Sequence, residues 1–344
     1  MKIVVLAGGI STERDVSFGS GKMVYKALKE AGHAVIMLDV YLGYEGDLNH
    51  IFSREEDWSG KISAISNEAP DLEAVKAMRK DGGKSFFGPN VITLCQQADV
   101  VFMALHGENG ENGKLQGAFD LLGVTYTGTD SLGSALCMDK GLTKEIFASH
   151  GIPTPTGITL KIDENRTRTM DLPCVIKVAN GGSSVGVYIV HTQEEYEKSL
   201  EEAFQYDTEV IIEQYIDGRE FSVGVVDGEV YPIIEIAPIE GFYDYKNKYQ
   251  AGSAIETCPA CLEREQTDRM QGYAKAAFEA LRLKSYARMD FMMNEAGEMF
   301  CLEANTLPGM TPTSLLPQEA KANHMSFTQL CEKIIDLAVT ETSR

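Results

Sequence analysis

Two carboxylates and an amide sit in a stretch that otherwise reads as paired apolar strands. In Arg288-Met-Asp290-Phe-Met-Met293-Asn294-Glu-Ala-Gly297-Glu298-Met-Phe-Cys301-Leu-Glu303-Ala-Asn305, two strand-like runs flank a turn at Asn294 to Gly297. A hairpin with Met293 opposite Glu298 places Asp290 opposite Cys301 and Arg288 opposite Glu303. Strand side chains alternate, so Arg288, Asp290, Glu303 and Asn305 then share one face. Oxygen donors converging beside an arginine suit Mg²⁺ held jointly with phosphates, because that ion takes one or two carboxylates and keeps water and phosphate. A slip of one residue in the register would scatter the cluster.

Other polar groups recur at the ends of apolar runs. Gly8-Gly9-Ile-Ser11-Thr-Glu13-Arg14-Asp15-Val16-Ser17 follows a strand and opens a helix, where backbone N–H groups and the helix dipole can receive an anion. It lacks GxGxxG spacing, and a glycine turn with Ser or Asp capping also accounts for it. Glu13, aimed at a strand-end crevice, could hold a substrate ammonium. His106-Gly107-Glu108-Asn109-Gly110-Glu111-Asn112-Gly113 matches no zinc pattern and fits a substrate loop or a plain turn equally well. Lys177-Val-Ala-Asn-Gly181-Gly182-Ser183-Ser184-Val185-Gly186 is no P-loop, yet its free N–H groups could fold over phosphates with Lys177 as a point charge, or form a simple hairpin loop. Glu213-Gln-Tyr-Ile216 could offer backbone groups to a purine edge and Glu220 a carboxylate to ribose. Phe242-Tyr243-Asp244-Tyr245-Lys246-Asn247-Lys248-Tyr249 could close over a site, or anchor a long loop.

The elements that must position these residues are legible in outline. Lys2 to Leu6, a helix from Val16 to Ala31 and Ala34 to Asp39 form the β-α-β opening of a doubly wound sheet, with ligands expected at the carboxyl ends of its strands. Val100 to Leu105 resumes that sheet after a polar, irregular stretch over 42–92, in which Asp71 to Lys80 is the clearest helix. A helix from Asp139 to Ser149 runs into Gly151-Ile-Pro153-Thr-Pro155, a subdomain boundary. Cys174 to Val178, Gly186 to Val190 and Val210 to Glu213 read as strands around a helix from Gln193 to Phe204. Glu220 to Val226 and Glu229 to Ile236 form a hairpin about Asp227-Gly228. Helices from Asp268 to Leu281 and from Ser326 to Val339 follow.

The 344 residues allow two or three domains, and 44% hydrophobic with 24% charged residues is ordinary for a globular chain. The formal net charge of -20 argues against nucleic acid and anionic membrane as partners. No run approaches the ~20 apolar residues that span a bilayer, and a soluble, cytoplasmic protein is expected. Seven cysteines form no disulfide framework in a chain this long, and Cys258-Pro-Ala-Cys261 reads as a free pair without chemistry.

In order, the motifs resemble those of ATP-grasp enzymes and, more closely, the D-alanyl-D-alanine ligase family. They run from Gly8-Gly9-x-Ser11-x-Glu13-Arg14-x-Val16-Ser17 through His106-Gly107, Tyr126-Thr-Gly128, Met138-Asp139-Lys140, Gly182-Ser183-Ser184-Val185-Gly186 and Tyr243-Asp244-Tyr245-x-x-Lys248-Tyr249 to Glu303-Ala-Asn305-Thr-x-Pro308-Gly309-Met310-Thr311. The resemblance implies an amino-terminal doubly wound α/β domain, 1–134, followed by two α+β ATP-grasp domains, 135–216 and 217–344. It implies ATP-dependent joining of two D-alanines through an acyl phosphate, for peptidoglycan precursors, in a homodimer.

By that resemblance, Glu13 holds the first D-alanine's ammonium, with Val16 and His106 beside the substrate. Lys140 and Lys177 meet ATP phosphates, Ser183 and Ser184 belong to the loop over them, and Tyr249 bonds with Ser183 and Glu13. Glu213 and Ile216 meet adenine, Glu220 the ribose and Lys248 the γ-phosphate. Asp290, Glu303 and Asn305 ligate two Mg²⁺ ions, with Mn²⁺ as a substitute. Arg288 and the Gly309 N–H stabilise the oxyanion, a role worth ~3 kcal/mol per donor in other enzymes. Ser314 and Leu315 bind the second substrate. Thr313 departs from a histidine common in the family, and Tyr249 favours dipeptide over depsipeptide, while D-serine in place of the second D-alanine is weakly discriminated. A catalytically silent nucleotide-binding protein would have lost Mg²⁺ ligands or Arg288, and all four are present.

Overall fold

The computed structural model describes residues 1–61, 70–164, 170–181, 186–239 and 254–342. Its first sheet is parallel, with β1 (Lys2–Ala7) flanked by β2 (Ala34–Asp39) and β3 (Val100–Met103) in the order β2-β1-β3. After Lys2, β1 is wholly buried, as a parallel strand covered on both faces must be. The helix Arg14–Glu30 supplies one cover through Val16, Ser20, Val24, Ala27 and Leu28, spaced as one helical face. The closing helix Phe327–Thr342 returns from the far end of the chain to the same core with Leu330, Ile334 and Ile335. The described residues after β2 pack on the same core, as Tyr44 against Trp58 at 5.2 Å illustrates.

A second, antiparallel sheet has the order β4-β7-β5-β6, with β4 (Gly157–Lys161), β5 (Cys174–Val178), β6 (Val187–Val190) and β7 (Glu209–Gln214). The helix Gln193–Ala203 covers it, started by a capping box between Thr192 and Glu195. The third sheet runs β11-β10-β8-β12-β13, from β8 (Gly218–Val226), β10 (Ile234–Pro238), β11 (Ala254–Thr257), β12 (Tyr286–Asn294) and β13 (Met299–Asn305). The hairpin about Asp227-Gly228 is present, but its return strand is broken. β9 (Glu229–Val230) pairs with the end of β8, and Pro232, which has no N–H to donate, separates it from β10.

The register of the β12–β13 hairpin differs from the sequence expectation in two steps. Gly297, at φ 76°, closes a three-residue loop in which Asn294 rather than Met293 pairs with Glu298. A bulge between Asp290 and Phe291 then leaves Leu302 without a partner. The two offsets restore the parity that a single one would destroy. Asp290 lies opposite Glu303, not Cys301, and Arg288 lies opposite Asn305, not Glu303. The other face carries Met289, Phe291, Met293, Met299, Cys301 and Ala304 into a core with the helix Arg264–Ala280.

Several boundaries move by a residue or a turn. Asp71 and Asp139 are caps of the helices Leu72–Ala77 and Lys140–Ser149 rather than members of them. The helix expected from Asp268 begins at Arg264. β4 and the helices Glu108–Glu111, Lys114–Leu122, Ser131–Met138 and Leu315–Ala322 were not read from the sequence. Among the described residues no helix is long and apolar enough to cross a membrane.

Gly224 on β8 shows how closely the helix Leu315–Ala322 seats on the third sheet, because a Cβ there would run into the Glu319 carboxylate and Leu316. Gly224→Ala is expected to lower stability by about 1–3 kcal/mol, the usual range for overpacking, in urea unfolding. An unchanged midpoint would show that this seat can relax.

Candidate active site

Asp290 is the hub of the strand-borne cluster. Arg288 grips it at two points, Nε to Oδ1 at 2.9 Å and Nη2 to Oδ2 at 2.8 Å. The Ser222 hydroxyl donates to Oδ1 at 2.6 Å from neighbouring β8, and Asn305 Nδ2 donates to Oδ2 at 2.9 Å from β13. Such two-point, charge-assisted bonding fixes the plane of the guanidinium as well as its position. Asn305 thus spends its amide nitrogen on Asp290, which leaves its amide oxygen for another partner. Glu303 lies 3.8 Å from the Lys140 ammonium.

This face forms one wall of a cleft of about 360 Å³ between the second and third sheets. Val175, Val187, Ile189, Met292 and Leu302 give it apolar walls, and Lys140, Lys177, Glu213, Ile216, Glu220, Asp290 and Glu303 line it as well. The bulge turns Leu302 and Glu303 towards the same side. Lys140 also donates to the Gly181 carbonyl at 2.7 Å. Lys177 pairs with Glu213, and Lys144 bonds the other Glu213 oxygen at 2.6 Å. Burial would raise the Glu213 carboxyl, but the two lysines hold it below the usual range. Sequence reasoning missed Lys144, although its spacing of one helical turn from Lys140 was a usable signal.

At the carboxyl end of the first sheet, the Gly8–Gly9 turn directs its amides onto protein acceptors. Its amides are already satisfied, Gly8 by the Ser17 hydroxyl at 2.8 Å, Gly9 by Asp39 and Ile10 by Asn109. Glu13, the residue before the helix, is 5% exposed and its carboxylate lies against Gly107; Val16 is buried in the next turn. His106 is not open to a ligand through its ring nitrogens. Nε2 meets the Ser20 hydroxyl at 2.8 Å and Nδ1 the Leu307 carbonyl at 3.0 Å, so the neutral ring donates from Nδ1. Burial pushes His106 down to about 4, aided by the Arg288 charge.

The loop after β13 is pinned to the first sheet by groups from three places. The Leu307 N–H donates to Glu111 at 3.2 Å, its carbonyl accepts from His106, and the Met310 N–H donates to Ser20 at 3.2 Å. Glu111 was not singled out by sequence; burial and the nearby Glu13 push its carboxyl up to about 8. Gly309 lies in this loop, where a Cβ would run into the Ser314 side chain. Ser314 accepts from the Thr311 N–H at 3.1 Å and caps the helix that begins at Leu315. The Leu315 side chain packs on Ile234 and Ile236, leaving the helix N-terminal amides as what this position offers a ligand.

Ser183, Ser184, Lys248 and Tyr249 lie outside the described residues. Cys258 and Cys261 are free thiols, and burial pushes Cys258 up to about 12. Within the described residues the structure therefore brings together a lysine-lined cleft, a paired-carboxylate face with an arginine, and a pinned glycine loop. Those parts can neutralise a polyanion and receive a developing oxyanion.

Glu319, wholly buried beside that face, accepts the Gly224 N–H at 2.6 Å while its Oε1 has no partner among the described residues. Burial, opposed by Arg288, pushes it from 4.5 up to about 8. The folded protein therefore holds a proton that the unfolded chain releases above about 4.5, and stability falls as pH rises from there to about 8. In Glu319→Gln that decline is expected to be shallower in urea unfolding across the interval. Parallel profiles would contradict the assignment.

Two family models cover the chain, "D-ala D-ala ligase N-terminus" over residues 2–129 and "D-ala D-ala ligase C-terminus" over 146–336. The chain is 44% identical to a D-alanine–D-alanine ligase of Lacticaseibacillus casei over 98% of its own length and 95% of that protein's. It is 43% identical to one from Pediococcus pentosaceus, covering 97% of each. Among solved structures, a Bacillus anthracis D-alanine–D-alanine ligase complexed with ATP superposes with a TM-score of 0.77 at 30% identity, over 100% of this chain and 99% of that one. The VanG D-Ala:D-Ser ligase of Enterococcus faecalis gives 0.73 at 30% identity, over 98% and 99%.

Proposed function

The chain belongs to the D-alanine–D-alanine ligase family, and from that premise we propose how its residues carry out the ATP-dependent ligation of D-alanine that defines the family and feeds peptidoglycan synthesis. The fold is the ATP-grasp fold of that family, and the enzyme is a D-alanine–D-alanine ligase. The observation that carries the residue assignments is the face of Arg288, Asp290, Glu303 and Asn305, set across a lysine-lined cleft.

ATP lies in that cleft, with its base near Glu213 and Ile216, its ribose at Glu220 and its phosphates towards Lys140 and Lys177; by the family resemblance Ser183, Ser184 and Lys248 also meet the phosphates. The first D-alanine sits at the end of the first sheet, its ammonium on Glu13, with Val16 nearby and, by the family resemblance, Tyr249 and Ser183 as hydrogen-bonding companions of Glu13. Its carboxylate attacks the γ-phosphate, giving an acyl phosphate and ADP. The second D-alanine, held by Ser314 and the amide of Leu315, attacks the acyl carbon and phosphate leaves. Positioning and charge neutralisation suffice for such a transfer. Arg288, fixed in plane by Asp290, and the Gly309 N–H meet the oxyanion. His106 acts one step removed, by holding the Leu307 carbonyl and so the loop that bears Gly309.

The donor set fits a hard cation. Two carboxylates directly opposite each other and a free amide oxygen are all oxygen ligands, as Mg²⁺ or Mn²⁺ prefers. Asp290, Glu303 and Asn305 would hold two such ions. When bound, they supply charge neutralisation at the transferring phosphoryl group. Asp290 already accepts from Arg288, Ser222 and Asn305, so Glu303 is the ligand most open to a metal.

The three units, 1–134, 135–216 and 217–344, find support in one sheet apiece, although the closing helix belongs by packing to the first core. A cytoplasmic homodimer is the assembly we propose. The likeness to a D-Ala:D-Ser ligase and the Thr313 departure give one specific alternative, D-serine as second substrate. Incubation with ATP, Mg²⁺ and D-alanine, alone or with D-serine or D-lactate, is expected to yield ADP, phosphate and D-alanyl-D-alanine as the main product by mass spectrometry. A predominance of the mixed dipeptide would favour the alternative, and absence of ADP release would contradict both.

A further inference from the structure

Lys144 is a largely enclosed cation that no motif assigned. Its side chain is 11% exposed, and all three ammonium donors are used, on Glu213 at 2.6 Å, the Thr154 hydroxyl at 3.0 Å and the Pro155 carbonyl at 2.7 Å. Glu213, 3% exposed, carries Lys177 on its other oxygen. One buried carboxylate thus has two counter-charges where one would neutralise it. Burial drives Lys144 below the usual lysine range, against the pull of Glu213. The second cation is therefore held at a penalty.

The surplus has a use. A buried carboxylate stripped of its last cation is strongly destabilised, so Lys177 can leave Glu213 only if another charge stays. Lys177 lines the cleft, whereas Lys144 does not. Lys144 is tied to the loop before β4, and that loop is tied to β13 by the Cys301 N–H on the Pro153 carbonyl at 2.7 Å. Lys144 is thus fixed to that loop by three bonds, while Lys177, equally buried, is the one that lines the cleft.

We propose that Lys144 is a positioning residue which keeps Glu213 neutralised so that Lys177 can be released onto the phosphates of ATP. The inference rests on the reading above, in which Lys177 meets those phosphates. Without Lys144, Glu213 would retain Lys177 and the nucleotide would lose a phosphate contact while keeping its contacts to base and sugar.

The test compares equilibrium binding of ATP and of adenosine to the full-length wild type, Lys144→Met, Lys177→Met, Glu213→Gln and the double variant Lys144→Met/Glu213→Gln, with unfolding midpoints recorded. Adenosine lacks the phosphates, so the ratio of the two dissociation constants isolates their contribution. Lys144→Met and Lys177→Met are each expected to lower the preference for ATP about tenfold, the scale of one hydrogen bond to a charged group. The double variant is expected to regain the wild-type preference, because a neutral amide no longer captures Lys177; a merely structural role for Lys144 would not produce that rescue. Lys144→Met with a lowered midpoint but an unchanged preference overturns the proposal, while Lys177→Met with an unchanged preference overturns the reading beneath it. Should Lys144→Met not fold, the double variant is compared with Glu213→Gln alone. Equal preferences are expected, and a lower one in the double variant overturns the proposal.

Discussion

The pairing of β12 with β13 is the constraint on which the site depends. Its turn and its bulge each shift the register by one residue, and together they turn Met289, Phe291, Cys301 and Ala304 into the core while Asp290 and Glu303 stand side by side on the cleft wall. Either shift alone would exchange the faces of one strand and bury a carboxylate among methionines. Core packing and site geometry are thus enforced by the same hydrogen-bond ladder.

The remaining groups are held to that face by buried polar bonds rather than by the hairpin itself. Glu111, His106 and Ser20 fasten the Leu307–Met310 loop to the end of the first sheet, and Ser222 reaches Asp290 from the adjacent strand. Buried donors and acceptors of this kind are costly when broken, so the loop has one preferred position. Lys140 and Lys144, one turn apart on the same helix, meet two different carboxylates of the cleft, Glu303 and Glu213. A site assembled from three sheets thereby behaves as one electrostatic neighbourhood, in which Arg288 lowers His106 and both Glu13 and Glu303 raise Glu111.

Much of this was legible in the sequence where the information is local. β2 and β5 follow directly from their apolar runs, and alternation alone puts Arg288 with Asp290 on one face of their strand and Glu303 with Asn305 on one face of theirs. The actual partners across the hairpin were not legible, because the bulge at Leu302 is decided by what each face packs against and leaves no mark on local pattern. The same holds for Lys144, whose partner Glu213 is 69 residues away. The two readings of the Gly8–Gly9 turn could not be separated for a related reason: its amides look available until Asp39 and Asn109 arrive from other loops. The short helix Glu108–Glu111, made of Glu, Asn and Gly, has too little helix propensity to announce itself.

The central claim is that the paired face of Asp290 and Glu303 is where the phosphoryl group is transferred. Its most direct test is ADP release by Glu303→Gln with D-alanine, ATP and Mg²⁺, alongside circular dichroism and the unfolding midpoint. The account predicts a loss of at least about 100-fold, the scale of removing one electrostatic stabiliser of a transition state, in a protein that remains folded. Wild-type turnover in the folded variant would contradict it.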